Sequence, residues 1–328
     1  SNEELCALAG AMGDRVRHRG PDSAGTFADG ACGIALAHQR LAIIDITPAG
    51  HQPMASRSGR WIVVFNGEIY NFRSVRDELD RGTARSTWRG ESDTEVLVEA
   101  LDRWGVEDTL RRCDGMFAFA AWDRERSRLI LARDRIGEKP LYYGTLGDGT
   151  FAFGSELRAL QRHPAWRGEI DPDAVALLLR YNCIPAPASV WRNVSKLRPG
   201  HWLEVRDGAA GQPRSYWSVA EAMRAGAESR LDSANDCPER WVDALDEVLG
   251  EVVGQAMISD VPLGAFLSGG IDSSLIVSLM QQRAGRAVKT FTIGFRNEAF
   301  DEAPHARAVA AALGTEHHEV YLDGADAL

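Results

Sequence analysis

Long apolar runs are missing from this chain. No stretch approaches the roughly 20 apolar residues that cross a bilayer, and no basic start leads into an apolar signal core, so a membrane partner is not expected. Cysteine is scarce: Cys6, Cys32, Cys113, Cys183 and Cys237 are scattered without a CxxC pair. That scatter argues against a zinc site, and the odd number points to reduced thiols and a cytoplasmic setting. Positive charge is in deficit, with 37 Lys and Arg against 47 Asp and Glu and a net charge of −10. The balance argues against a non-specific nucleic-acid binder, which needs a basic face, but is compatible with a local basic phosphate site. No internal repeat is evident, and the GxxxxGK(S/T) phosphate loop is absent. What remains is ordinary globular composition, 45% apolar and 26% charged over 328 residues, enough for two domains with separate cores.

The opening segment Glu4–Arg17 places Leu5, Leu8, Ala9, Met12 and Val16 at helical spacing, and ends in the turn-rich His18-Arg-Gly-Pro-Asp22. Short β-rich runs broken by Gly, Pro and Asp follow to about Phe153, among them Leu41–Asp45, Trp61–Phe65, Met116–Trp122 and Arg128–Ala132. Helices are predicted over Arg73–Arg81 and Thr94–Trp104, the second with Val96, Leu97, Ala100 and Leu101 on one face and Gly105 as its stop. Many short strands with few helices predict an α+β layered domain. Residues 185–217 are rich in Pro, Gly and polar groups and read as the passage between domains, although Trp202–Val205 also suits a strand of the first. Ser218–Pro238 reads as polar and mobile. Beyond it the period becomes helical over Trp241–Met257. Strands at Leu263–Leu267, Val288–Phe295 and His318–Leu322 then alternate with helices at Ser273–Arg283 and His305–Leu313, the last closed by Gly314. Such alternation means parallel βαβ units, and the expected domains are 1–217 and 218–328.

The most informative segment is Ser268-Gly269-Gly270-Ile271-Asp272-Ser273-Ser274, set between an apolar run and a helix. Adjacent glycines let backbone N–H groups approach an anion, and the helix N-terminus adds partial positive charge. Ser268, Ser273 and Ser274 supply hydroxyls within reach of phosphate oxygens. Asp272 disfavours a bare phosphate, so a bridging Mg2+ is expected beside it. The segment resembles the SGGxDS loop of ATP pyrophosphatases, which split ATP into AMP and pyrophosphate. By the same resemblance Leu267 and Ile293 border the adenine at the C-terminal ends of strands; read as residues alone, core packing suits both better.

The N-terminal half carries seven further motifs in order: His18–Asp22, His38–Asp45, Asn66–Asn71, Ser92–Glu95, Asp114–Phe119, Arg133–Tyr142 and Ser155-Glu156. Together they resemble the class II (N-terminal-nucleophile) glutamine amidotransferases. With the phosphate loop behind them, the chain is similar to the asparagine synthetase family. The resemblance implies an α+β N-terminal-nucleophile hydrolase sandwich of αββα layers, followed by part of an α/β parallel-sheet ATP-pyrophosphatase domain. It assigns the oxyanion hole to the Asn66 amide and the Gly67 N–H, which suits a tetrahedral intermediate. It assigns glutamine's α-carboxylate to Arg40, whose fork suits bidentate pairing, and the α-ammonium to Glu68 and Asp93. Taken alone, Asn66-Gly67 reads as a hairpin turn, Arg40 and Asp93 as surface charges, and Asp93 also as a helix N-cap. His18–Asp22 and Gly137–Pro140 read as structural turns.

One departure stands out. The family uses an N-terminal cysteine whose own α-amine is the general base, and residue 1 here is serine. Ser1-Asn-Glu-Glu reads as an internal start, with no strand after Ser1. Cys6-Ala-Leu-Ala-Gly10 echoes the family's start, but only eleven residues separate Cys6 from His18, room for the helix alone. Cys6 therefore reads better as a buried helix-face thiol, the first strand with its cysteine is expected to be missing, and this chain is not expected to hydrolyse glutamine. By resemblance, ATP with Mg2+ adenylates a carboxylate acceptor, aspartate by preference, and ammonia arriving through an internal tunnel gives asparagine, glutamate, AMP and pyrophosphate. Amidation of a sugar uronic acid and a catalytically dead scaffold on the same fold are the alternatives. A homodimer is compatible with the sequence.

Overall fold

The computed structural model describes residues 1–81, 87–228, 238–297 and 301–323; Cys237 and its expected free thiol lie outside them. Two compact units emerge, Ser1–Ser229 and Arg230–Leu328. None of the described helices is long and apolar enough to cross a membrane.

The first unit begins with α1 (Asn2–Gly13) and the hairpin strands β1 (Ser23–Asp29) and β2 (Ile34–Arg40). Then come β3 (Met54–Ala55), β4 (Trp61–Ile69), α2 (Phe72–Asp80), α3 (Asp93–Trp104), α4 (Val106–Arg112), β5 (Gly115–Asp123) and β6 (Arg128–Arg133). After β7 (Tyr142–Thr145), β8 (Phe151–Gly154), α5 (Leu157–Leu160) and α6 (Pro172–Tyr181), the chain adds β9 (Val194–Lys196), β10 (His201–Arg206), β11 (Ala209–Ala210), β12 (Arg214–Ser215) and α7 (Val219–Glu228). Strands β11-β10-β6-β5-β4-β3 form one antiparallel sheet, joined by β12 on β10. A second layer holds the β1–β2 pair and the β8-β7-β9 sheet.

Alternation along β4 explains how the layers stack. Ile62 and Val64 point one way, into a core with Leu36, Ala118, Ala120, Leu131, Leu141 and Leu203 that joins the two sheet layers. Trp61, Val63 and Phe65 point the other way and are equally buried, beneath α3, whose Val96, Leu97, Ala100 and Leu101 are fully sequestered. On the outer side of the second layer α1 lies across β1 and β2. The order is helix, sheet, sheet, helix, as expected of an αββα sandwich.

Two expectations give way. Leu41–Asp45 is not a strand: β2 ends at Arg40, and the following loop curls so that the carbonyls of Ile44, Asp45 and Thr47 accept from the Arg40 guanidinium. Residues 185–217 are not merely a connector, since they supply β9 to β12, with the region of Trp202–Val205 forming β10. Beyond them, α7 occupies part of the stretch whose composition suggested mobility.

The second unit runs α8 (Pro238–Ala256), β13 (Gly264–Phe266), α9 (Ile271–Arg283), β14 (Lys289–Phe295), α10 (Ala303–Leu313) and β15 (Glu316–Leu322). Its three strands are parallel, in the order β13-β14-β15, as the alternation predicted. Right-handed crossovers that advance in one direction put both connecting helices on the same face. Leu267, Val277, Ala306 and Ala310 are accordingly buried together, and Val253 of α8 packs with Leu279 and Met280 of α9. Gly314 ends α10 at φ 71°, the left-handed cap that a glycine accommodates.

Candidate active site

A cavity of about 940 Å³ opens inside the first unit. Its walls include β2 and β8, residues of the large sheet such as Val64, Ala118 and Leu129, and the apolar side of α1 through Leu8, Ala9 and Met12. The five residues that the motifs single out, Arg40, Asn66, Gly67, Glu68 and Asp93, all line this one space. They come from β2, β4 and the first turn of α3, so the sandwich gathers side chains far apart in sequence.

Asn66 and Gly67 do not make a hairpin turn. They lie inside β4, paired with Ala118 and Phe117 of β5. A Cβ on Gly67 would collide with the Met116 carbonyl and stand 2.6 Å from Phe117 Cα, so the position admits no side chain. The Asn66 amide lies 3.5 Å from Ser155 Oγ, which brings the Ser155-Glu156 motif to the same rim. Glu156 meanwhile ties that rim to the first motif, contacting His18 at 3.0 Å and Arg19 at 3.2 Å.

Arg40 is only 8% exposed. Its Nη1 donates to Thr47 O at 3.0 Å and its Nη2 to the Asp45 and Ile44 carbonyls. The loop is braced in turn by the Asp45 carboxylate, which accepts from the Thr47 and Glu91 N–H groups at 3.1 and 2.8 Å. Gly50 leaves the space the guanidinium needs, since a Cβ there would sit 2.7 Å from Arg40 Cζ. Arg40 is therefore a fixed internal cation rather than a surface charge, with part of its donor fork already engaged by the loop.

Asp93 is 5% exposed and accepts from Ile69 N–H at 3.0 Å. The N-cap of α3 is Ser92, not Asp93. Burial pushes the Asp93 carboxyl up to about 6, against the pull of the Ile69 and Thr94 N–H groups, and neighbouring Glu68 adds to the rise. Burial likewise lifts Glu68 above the usual carboxylate range, and Lys139 draws it back down. Two partly desolvated carboxylates lining one cavity give a cation something to neutralise there.

The cavity also holds His38 and Lys139, which the motifs contain but which were given no role. Strand alternation was the available signal for His38, since residues 38 and 40 share a face of β2. Burial and the nearby charges of Arg40 and His51 push its imidazole down to about 4. Cys6 is on α1, half-buried rather than buried, and is not among the cavity-lining residues. Ser1 caps α1, its Oγ accepting from Glu4 N–H at 3.3 Å. The structure brings neither to Asn66 and Gly67.

In the second unit the Ser268–Ser274 segment forms the turn from β13 into α9. Gly269 adopts φ 80°, and a Cβ there would stand 2.7 Å from Ala306 N; only glycine lets this turn press against α10. Helix α9 starts at Ile271, two residues earlier than expected, which places Asp272 in its first turn. The serine hydroxyls brace the loop: Ser273 Oγ lies 2.9 Å from Ser268 Oγ, and Ser274 Oγ donates to Gly270 O at 2.7 Å. The first-turn N–H groups of α9 lie beyond the intrahelical ladder, the kind of donors that can take an anion. Leu267 is 1% exposed and belongs to the core, whereas Ile293 is 47% exposed on the open face of β14 beside Phe291 and Phe295. The two predicted adenine neighbours thus have opposite surroundings. Among the described residues no cluster of three or more His, Cys, Asp or Glu side chains could hold a metal ion.

Both halves of the chain match known families. Residues 1–217 match the family model described as a glutamine amidotransferase domain, and residues 244–328 match the one described as asparagine synthase. Among relatives, the glutamine-hydrolysing asparagine synthetase 1 of Bacillus subtilis is 36% identical over 93% of this chain and 45% of its own length. The glutamine-hydrolysing asparagine synthetase 3 of the same organism is 32% identical over 96% of this chain and 51% of its own length. A Gibberella zeae protein named amidase chry2 is 29% identical over 94% of this chain and 46% of its own. The chain thus spans about half the length of these relatives. A solved Bacillus subtilis glutamine phosphoribosylpyrophosphate amidotransferase aligns over 95% of this chain and 62% of its own at 17% identity, with a TM-score of 0.47, too loose a likeness to add to the fold. Through residues 1–217 the chain belongs to the glutamine amidotransferase domain family, with an asparagine synthase match behind it.

Proposed function

We propose that this chain is the glutamine-recognising and ATP-binding portion of a glutamine-hydrolysing asparagine synthetase. The observation that carries the reading is the convergence of Arg40, Asn66, Gly67, Glu68 and Asp93 on one cavity, where their charges complement a zwitterionic amide. Arg40 takes the α-carboxylate through the N–H groups its loop leaves available, while Glu68 and Asp93 take the α-ammonium. The side-chain amide is thereby directed to Asn66 and the Gly67 N–H, donors fixed in place before charge develops on the carbonyl oxygen. Beside them, the outer edges of β2 and β8 carry no partner strand among the described residues. Residues of both strands, among them Ala35, Ala37, Ala152 and Phe153, line the same cavity, and we assign the nucleophile to a further extended strand along that lining.

In the second unit, the turn at Gly269-Gly270 and the start of α9 receive the nucleotide phosphates. Asp272 is exposed in that first turn and would hold Mg2+ jointly with phosphate oxygens, the usual sharing for that ion; the ion would neutralise phosphate charge. Activation converts an acceptor carboxylate, which repels nucleophiles, into a mixed anhydride that ammonia can attack. The acceptor we assign is aspartate, in keeping with the names of the Bacillus subtilis relatives.

Calorimetry separates the two halves of this reading. L-glutamine titrated into the chain should give a saturable signal that Arg40→Ala and Asp93→Ala remove, and a flat titration would sink the glutaminase half. Magnesium-dependent ATP uptake lost in Ser273→Ala tests the other half. In the full-length enzyme, pyrophosphate release that depends on aspartate supports the synthetase, and release that depends only on a uronic acid replaces it with the sugar-amidating reading.

A further inference from the structure

Lys139 lies in the loop between β6 and β7, inside the Arg133–Tyr142 motif, and shares the cavity with Glu68. Its backbone is gripped from both sides. The N–H donates to Asp134 Oδ2 at 3.0 Å, and the carbonyl accepts from Arg133 Nε at 2.6 Å. Asp134 is fully buried and also accepts from the N–H groups of Gly137, Glu138 and Phe117. Arg133 further donates to Leu197 O at 2.8 Å and to Gly137 O at 2.6 Å. Two adjacent ions of opposite sign thus staple the loop into one conformation, and the loop wall they build carries Lys139 at the cavity lining. A mere turn at Gly137–Pro140 would not need a buried carboxylate with so many donors.

We propose that Lys139 is a positioning residue of the glutamine cavity, supplying the counter-charge that holds Glu68 as the carboxylate recognising the substrate's α-ammonium. The proposal rests on the glutamine reading of the site and adds to it a determinant of α-amino specificity. Glu68 is desolvated and shares the cavity with Asp93, so in isolation it would tend to take up a proton and lose its attraction for an ammonium group. A cation in the same cavity lining opposes that protonation. Arg40, in the same lining, is left to take the other end of the substrate. The charged and titratable groups around Glu68 are Asp93 of α3, Lys139 of the stapled loop and Tyr70 just past its own strand, and Arg40 and His38 of β2 line the same cavity.

The test is the pH dependence of L-glutamine binding by the full chain, measured by calorimetry between pH 5.5 and 8.5 for wild type, Lys139→Met and Lys139→Arg. Methionine keeps the length and the backbone clamp while removing the charge. Loss of the cation moves the acid limb of the profile to higher pH, so Lys139→Met binds about tenfold more weakly near pH 6 if that limb moves by one pH unit, and within about threefold of wild type at pH 8.5. Lys139→Arg restores the wild-type profile. In a Glu68→Gln background, Lys139→Met leaves the remaining binding unchanged, which separates Glu68 from Asp93. The same substitution weakens L-glutamine more than its des-amino analogue, 4-carbamoylbutanoate. If wild type and Lys139→Met share one pH profile, or if Lys139→Met loses binding equally at every pH, the charge role is overturned while the glutamine site stands. If wild type itself takes up no glutamine, the site reading fails first and the proposal goes with it.

Discussion

Replacing Asp93 with asparagine should stabilise the first unit while removing its affinity for glutamine. Asp93 is 5% exposed, and burial lifts its carboxyl from an ordinary value of 3.8 to about 6. A carboxyl whose folded value lies above its unfolded value is held more tightly as the acid in the folded state. Stability is therefore highest at low pH and declines as pH rises from about 4 through about 6, after which the loss is complete. The difference is worth on the order of 3 kcal/mol. Asparagine has the same shape and can still accept from Ile69 N–H, but it never ionises. The expected gain at pH 7.5 approaches that 3 kcal/mol as a ceiling, or roughly 6–12 °C in Tm for a unit of this size, and fades to nearly nothing at pH 4. Thermal and urea unfolding of both proteins at several pH values measures it. A pH-independent difference between them, or a variant less stable than wild type at pH 7.5, would refute the claim that Asp93 is a strained, desolvated carboxylate awaiting a cation.

Gly67→Ala should cost about 3 kcal/mol or more, because its Cβ would meet the backbone of β5 in the middle of a sheet buried on both faces; urea unfolding reads the loss. Gly269→Ala should abolish magnesium-dependent ATP uptake, since alanine is strained at φ 80° and collides with the start of α10; calorimetry measures the uptake, and circular dichroism checks that the unit is still folded. Asp134→Asn should destabilise by about 2–4 kcal/mol, because one acceptor oxygen becomes a donor facing N–H groups that now lack a partner, and hydrogen exchange should show Gly137–Lys139 opening first.

How far the sequence discloses this fold depends on how an element is buried. Strands β4 and β5 are covered on both faces, so they appear as unbroken apolar runs, and α3 announces itself by spacing and a glycine stop. The β1–β2 pair carries few such signs, because Gly25, Gln39 and several half-buried residues interrupt any alternation. Leu41–Asp45 misleads for a physical reason: its apolar character serves a loop wrapped around a buried guanidinium, a tertiary demand that no local pattern encodes. Strands of two to four residues such as β7, β9, β11 and β12 are too short for any period to register. At the cavity, the five motif residues were legible through resemblance alone, since hairpin, surface and cap readings suited Asn66, Arg40 and Asp93 equally well taken singly. Lys139 carried no signal of its own, because what singles it out is a backbone clamp made by Arg133 and Asp134 and a cavity shared with Glu68 of β4, both products of tertiary structure.

Glycine placement supplies the deepest link between the two candidate sites and the folds that hold them. Gly67 stands where a side chain would strike β5, and Gly269 where one would strike α10. In each case the backbone is pressed against a neighbouring element by packing, and the residue brings no side chain of its own to cover its N–H group. An anion or a developing oxyanion can then reach that donor without any rearrangement, which is the condition under which a backbone dipole contributes most to binding or catalysis. It follows that substitutions at these glycines add a folding cost to any functional one, so folding has to be measured beside binding, whereas those at Glu68 or Lys139 force no backbone clash. Variants that keep the fold while changing affinity should therefore be found among the charged lining residues, and selections that combine a folding reporter with glutamine binding should recover them there.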